Sequence, residues 1–343
     1  MQKIAVISCW FGPYPNYFGL WIKSVAWNPT IDFFIVGNTP LPPGSPVNLH
    51  HLPMTLEGLQ DLIRKRLDYP SAVLPNPYKC CDYKPMYGLI LGPELNGYDF
   101  WGHCDLDLVF GNLRAFLTEE RLGIYDKLYP NGHLSVYRNT PEVNDRWRLP
   151  YAKFDVNEVI SSPLNFAFDE WDGIYNIYMR MGLPFWREVE FCNPAPGVQR
   201  FRFRQRSNQK YERSPENYPH QCFYWENGNL HRAFVNGAGQ VLVEDYVYMH
   251  FFKRHFPNPP PKTLEPETAF FCTPSGFVPK ESAGVPSPEE VMRNNPYRGK
   301  IYEWLEDWWM KKRRKIRKLL GKNTFVPRTM RIPGSSWRPA EKS

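Results

Sequence analysis

Apolar residues in the first third of the chain fall into short runs separated by turn-forming residues. Residues 4–9 and 31–37 have the length and apolar content of buried strands, and 47–52 is a weaker third. The period then changes. Leu56, Leu59, Leu62, Ile63 and Leu67 share one face with charges opposite, which predicts a helix over 56–67. A Pro/Asn loop over 70–77 comes next. Within 78–91 a helix is expected to begin near Lys84-Pro85, because proline suits a first helical turn. Residues 98–110 read as a strand and 112–121 as a helix. Strands alternating with helices imply an α/β fold with a mainly parallel mixed sheet flanked by helices.

The second half reads differently. After a predicted helix over 168–181, strands are expected at 201–206, 221–226, 230–235 and 240–250. Turn signals lie at Asn227-Gly228 and Asn236-Gly-Ala-Gly239. Prolines dominate from about 256 to 288, and a helix over 297–320 closes the pattern. The expected division is a main domain over 1–256, a Pro-rich strap over 257–296, and a basic amphipathic helix and tail over 297–343.

Composition narrows the class. A chain of 343 residues with 42% hydrophobic and 22% charged residues can bury a large core. Its 12 Trp and 20 Tyr suit stacking on sugars or bases, and suit core packing equally well. No stretch approaches the roughly 18 apolar residues that would cross a bilayer. The opening ten residues read as a first buried strand rather than a signal peptide. Seven cysteines without a CxxC pair give neither a disulfide framework nor a zinc site. Reduced thiols and a cytoplasmic location are therefore expected. The net charge of +7 is uneven, since every residue from Lys311 to Lys318 except Ile316 is Lys or Arg. With Trp304, Trp308 and Trp309 just before it, that block suits an anionic membrane surface over the span from Trp304 to Leu320, more than nucleic acid or a solvated face.

Two carboxylates, Asp105 and Asp107, stand at i and i+2 after the aromatic run of the expected strand, a spacing that points both to one face. Oxygen ligands so placed suit Mg²⁺ or Mn²⁺. His103 shares the alternation but reads better as a core residue. In Lys79-Cys-Cys-Asp-Tyr-Lys-Pro85, Lys79 and Lys84 offer point charges for phosphate, while Asp82 offers either a hydroxyl contact or a helix cap. His250, at the end of the last long strand, offers a nitrogen ligand, with Lys253 three residues on. Asp169 and Glu170 could orient or deprotonate an acceptor hydroxyl, or simply begin a helix.

Together, an N-terminal strand, Lys79…Asp82-x-Lys84-Pro85, Asp105-x-Asp107 and a late His250-x-x-Lys253 resemble a GT-A fold glycosyltransferase, closest to a poorly characterised bacterial and viral group of polysaccharide glycosyltransferases. The resemblance covers about residues 1–256, which would then be the catalytic domain. It implies a nucleotide-sugar donor, UDP-sugar favoured, with its diphosphate bridged by Mn²⁺ or Mg²⁺, and a hexosyltransferase-like activity. Asp105 would serve the ribose and the metal, Asp107 and His250 would be metal ligands, and Lys253 would neutralise the leaving phosphate. Residues from Phe11 to Tyr17 would cover the base. One departure is that late-His families usually carry Gly-x-x-Lys after the histidine, where this chain has Phe251, Phe252 and Lys253. The acceptor implied is a glycan or lipid-linked saccharide, handled at the inner face of a membrane. Competing readings are a non-enzymatic membrane- or nucleic-acid-associated protein and a metal-dependent phosphohydrolase.

Overall fold

The computed structural model describes residues 1–194, 201–203, 215–251, 256, 269–297 and 299–319. Among these, fourteen strands form three sheets. The main sheet contains β1 (Ile4–Trp10), β2 (Ile31–Gly37), β3 (Leu49–Pro53), β4 (Phe100–Cys104), β6 (Lys127–Leu128), β7 (Leu134–Arg138) and β8 (Phe185–Trp186). Its order is β3-β2-β1-β4-β7-β6-β8. The first four are parallel to one another, β7 runs antiparallel to β4 and β6, and β6 and β8 are parallel. The mixed, mainly parallel α/β sheet expected from the sequence is therefore present.

Alternation along β1 feeds two cores. Ala5 and Ile7 join the layer that receives Leu59, Ile63 and Leu67 of the helix Leu56–Leu67. Ile4 and Val6 join the opposite layer with Trp21 and Val25 of the helix Phe18–Ala26. That second helix has little signal in the sequence, because its apolar residues are flanked by prolines and aromatics that look like loop. Because β2 and β3 lie on one side of β1 and β4 on the other, the strand order reverses between β1 and β4. The crevice beyond the carboxyl ends of strands at such a reversal is where open α/β sheets bind ligands.

A second, antiparallel sheet has the order β11-β10-β9-β13-β14. Its strands are β9 (Gln221–Glu226), β10 (Asn229–Val235), β11 (Val241–Tyr246), β13 (Phe270–Thr273) and β14 (Gly276–Pro279). The last two, with the helix Pro288–Asn294 whose Val291 packs on this sheet, lie in the span read as a Pro-rich strap. Proline at a helix first turn and at a strand end is compatible with ordered structure, so proline content there misled.

Other differences are local. The single strand read over 98–110 is two strands, β4 and β5 (Leu108–Phe110), with Asp105–Asp107 in the corner between them. The helix read from Lys84-Pro85 begins earlier, at Pro77, where Asn76 accepts from the Tyr78 N–H at 3.1 Å, and it continues as short helical turns to Ile90. The helix read over 112–121 is a 3₁₀ turn, Leu113–Ala115, followed by a helix, Glu119–Ile124. Regular helix in 168–181 covers only Asn176–Met181, because the backbone at Gly173 leaves helical geometry. The strand read over 240–250 breaks at Val247 into β11 and β12 (Tyr248–His250), which belong to different sheets. Of the strand read over 201–206, only 201–203 is described, with Phe203 in a single bridge to Pro194.

Candidate metal centre at the sheet switch point

The break after β11 delivers a histidine to the acids. β12 pairs antiparallel with β5, His250 opposite Leu108. The Phe251 N–H donates to the Asp107 carbonyl at 2.8 Å, fixing His250 beside the corner that carries Asp105 and Asp107. One ligand atom from each of Asp105, Asp107 and His250 lies within 4.8 Å of the others. Asp107 and His250 are buried and Asp105 is part-exposed, so the cluster is built into the protein yet open on one side.

The histidine is oriented from behind. Its Nδ1 lies 3.2 Å from Asn193 Oδ1, on a segment held against β12 by the Cys192 N–H to Tyr248 carbonyl and His250 N–H to Cys192 carbonyl bonds, both 2.8 Å. A proton on Nδ1 leaves the Nε2 lone pair facing Asp107 Oδ2 at 3.3 Å. Two acceptors so close require a proton or a cation between them. The imidazole of His250 also stacks on His133 with centroids 4.3 Å apart, and His133 Nδ1 bonds the Tyr248 hydroxyl at 2.6 Å. Burial holds His133 well below the usual histidine range, so it is a neutral platform. Neither Asn193 nor His133 was legible beforehand, since both sit in irregular segments with no motif around them.

Lys84 forms the other wall. Its Nζ contacts Asp105 Oδ1 at 2.6 Å, Asp169 Oδ2 at 3.0 Å and the Gly132 carbonyl at 2.8 Å. Burial works against its charge, but Asp105 and Asp169 outweigh burial and hold the ammonium well above the usual lysine range. Asp169 is pushed up to about 7, chiefly by burial and despite Lys84. Its Oδ1 has no hydrogen-bond partner among the described residues. Glu170 is also raised by burial, is half-buried, and accepts from the Gly132 N–H at 3.3 Å. Gly132 has no room for a side chain, because a Cβ there would lie 2.2 Å from Asp169 Oδ2.

Lys79 and Asp82 are placed elsewhere. They form a closed ion pair at 2.7 Å, both about 1% exposed. Lys79 spends its remaining donors on the carbonyls of Val159 and Leu164, each at 2.6 Å. Asp82 accepts from the Phe166 and Phe168 N–H groups and caps no helix. Those two bonds hold the backbone on either side of Ala167, whose φ of 52° is in the left-handed region. The pair thus shapes the turn that presents Asp169 rather than reaching the crevice.

Tyr17 stands near the acids. Burial first, then Asp107 and Asp105, raises its hydroxyl well above the usual tyrosine range. It packs edge-on against Phe251 and Phe256 at 5.5 and 5.9 Å. Phe11 is half-buried on the opposite layer, in a loop tied to the end of β2 by the Gly12 N–H to Asn38 Oδ1 bond of 3.0 Å. His103 is fully buried beside Tyr137, as a core residue. Lys253 lies outside the described residues.

Fold and site together define a doubly wound α/β protein with an Asp-Asp-His centre at the switch point of its sheet. The chain belongs to a family of unknown function, DUF6625, whose profile matches residues 6–281. No curated protein matches it. Among solved structures it is similar to the galactosyltransferase LgtC in complex with donor and acceptor sugar analogs, with 13% identity over 56% of this chain and 76% of that one, TM-score 0.33. An active-site mutant of LgtC gives 12% identity, 56% and 75% coverage, and the same TM-score of 0.33. The apo-form glycosyltransferase GlyE of Streptococcus pneumoniae TIGR4 gives 12% identity over 40% of this chain and 34% of that one, TM-score 0.25. The described helices include none long and apolar enough to cross a membrane.

Proposed function

We propose that the protein is a metal-dependent glycosyltransferase that moves a sugar from a nucleotide-sugar donor, UDP-sugar favoured, to a glycan or lipid-linked saccharide. The observation that carries this reading is the convergence of Asp105, Asp107 and His250 within 4.8 Å, at the crevice where an α/β sheet binds ligands. Two carboxylates and an imidazole whose Nε2 is turned toward them fit Mn²⁺ or Mg²⁺. Such an ion supplies charge neutralisation for a nucleoside diphosphate leaving group.

The chain's own residues do the rest. Lys84 adds a fixed positive charge behind Asp105, in a buried setting where it needs no reorganisation during reaction. Tyr17 and Phe11, after β1, are suited to flank the nucleoside, and Lys253 to meet the phosphates. Glu170, half-buried and of raised basicity, is better placed to take a proton from an acceptor hydroxyl than Asp169, which is engaged with Lys84.

Calorimetric titration of UDP and GDP, with and without Mn²⁺, tests the reading. UDP should bind only with the metal, and Asp107→Ala should weaken binding at least about 100-fold, since losing a ligand exceeds the loss of an outer partner. Metal-independent binding, or none, would remove the bridging role of the acids. Sugar released to water rather than to an acceptor would favour a phosphohydrolase.

A further inference from the structure

The helix Lys300–Leu319 is 20 residues long, about 30 Å of continuous surface. Every side chain described along it is exposed, including Ile301 at 75%, Trp304 at 64%, Trp309 at 56% and Leu319 at 79%. Large apolar residues this open on a helix are unusual in a protein whose other described tryptophans are buried or part-buried, except Trp27 at 39%.

Their positions are ordered. At 3.6 residues per turn, Ile301, Trp304, Leu305, Trp308, Ile316 and Leu319 fall in one arc of roughly 100–140°. Glu303, Glu306 and Asp307, the acids of the helix, fall at positions on the opposite arc. Within the apolar arc the charged interruptions are Lys312 and Lys315, whose long stems can run along apolar material and carry the ammonium to its edge. Lys312 Nζ already lies 4.1 Å over the Trp308 ring. Seven of the eight residues 311–318 are Lys or Arg. Indole rings together with cations around an apolar stripe match the polar–apolar boundary of a bilayer bearing negative headgroups.

We propose that Lys300–Leu319 lies in the surface of an anionic lipid bilayer with its apolar arc inward. Nucleic acid would use the cations but has no place for an apolar arc of this width. A second copy of the helix would bring the cationic blocks together in parallel pairing.

The test is co-sedimentation of the full chain with vesicles of phosphatidylcholine alone or with added phosphatidylglycerol. Binding is expected to the anionic vesicles and to weaken with salt. Lys312→Gln and Lys315→Gln should each lower the partition constant about 5-fold. Trp304→Ser with Trp308→Ser should lower it by more than tenfold on both lipid mixtures. Both pairs are exposed, and unchanged melting would show that the fold is intact. Equal binding to neutral vesicles, no binding, or partition insensitive to the tryptophans would overturn the proposal. So would a dimer in lipid-free solution abolished by the same substitutions, or duplex DNA displacing the vesicles.

Discussion

Two lysine–aspartate arrangements arise from one short segment and end in opposite conditions. Lys79–Asp82 is sealed, and every donor of the lysine meets a protein acceptor. Lys84, five residues on, is also buried but holds the part-exposed Asp105 on the wall of an open crevice and the buried Asp169 behind it. The residue types are the same, so type alone does not separate scaffold from site. What separates them is whether every carboxylate oxygen has a partner within the protein. Asp82 has none left over, whereas Asp169 Oδ1 is unpartnered among the described residues. The closed pair also serves the open one by fixing the turn at Ala167.

The strongest way to break this comparison is Asp82→Ala. It strands a buried ammonium and two N–H groups, and should cost about 3–5 kcal/mol in chemical unfolding. Lys79→Met with Asp82→Leu should cost far less, because the pair is replaced rather than broken. If Asp82→Ala left stability unchanged while abolishing nucleotide binding, the scaffold assignment would be wrong.

Lys84→Met should act in the other direction. We expect a loss of sugar transfer of about 3 kcal/mol in kcat/KM, on the order of 10². That loss should be out of proportion to the change in unfolding midpoint. A variant that only melted earlier, with its specific activity intact, would move Lys84 into the same class as Lys79.

Gly132→Ala sharpens the contrast on a smaller scale. The added methyl must displace Asp169, at about 1–3 kcal/mol, and should lower transfer roughly tenfold with Lys79–Asp82 untouched. The last test concerns pH, and its effect is spread over several units. An acid raised from 3.8 to about 7 holds its proton more tightly when folded. Its contribution is fully present below pH 4 and is lost as pH rises toward 7, with a slope of at most about 1.4 kcal/mol per unit. Asp169→Asn should flatten that part of the stability profile measured by urea unfolding. An unchanged slope would place the titration elsewhere.

Much of this was legible in the sequence. β1, β2 and β9 are apolar blocks with clean ends, and the helix Leu56–Leu67 has an unmistakable period. Asp105, Asp107 and His250 were legible as ligand types. That they converge follows from the resemblance and not from any local signal, because it depends on β12 leaving the sheet of β11 to pair with β5. The short strands β6 and β8 were equally invisible, since two residues carry no periodicity. Asp82 is ambiguous for another reason: a buried carboxylate serving backbone N–H groups looks, in sequence, like a cap or a ligand.

The break at Val247 has a consequence for energetics. His250 is carried on a strand continuous with the second sheet through β11, while the two acids belong to the corner of the main sheet. A ligand that engages all three residues therefore binds more tightly the arrangement in which the two sheets are packed together than one in which they are parted. By reciprocity, whatever stabilises that setting strengthens the ligand by the same factor. The packing of the β-rich half against β5 is then part of what positions the centre, and substitutions in its core, far from any charged atom, will be felt as changes in affinity.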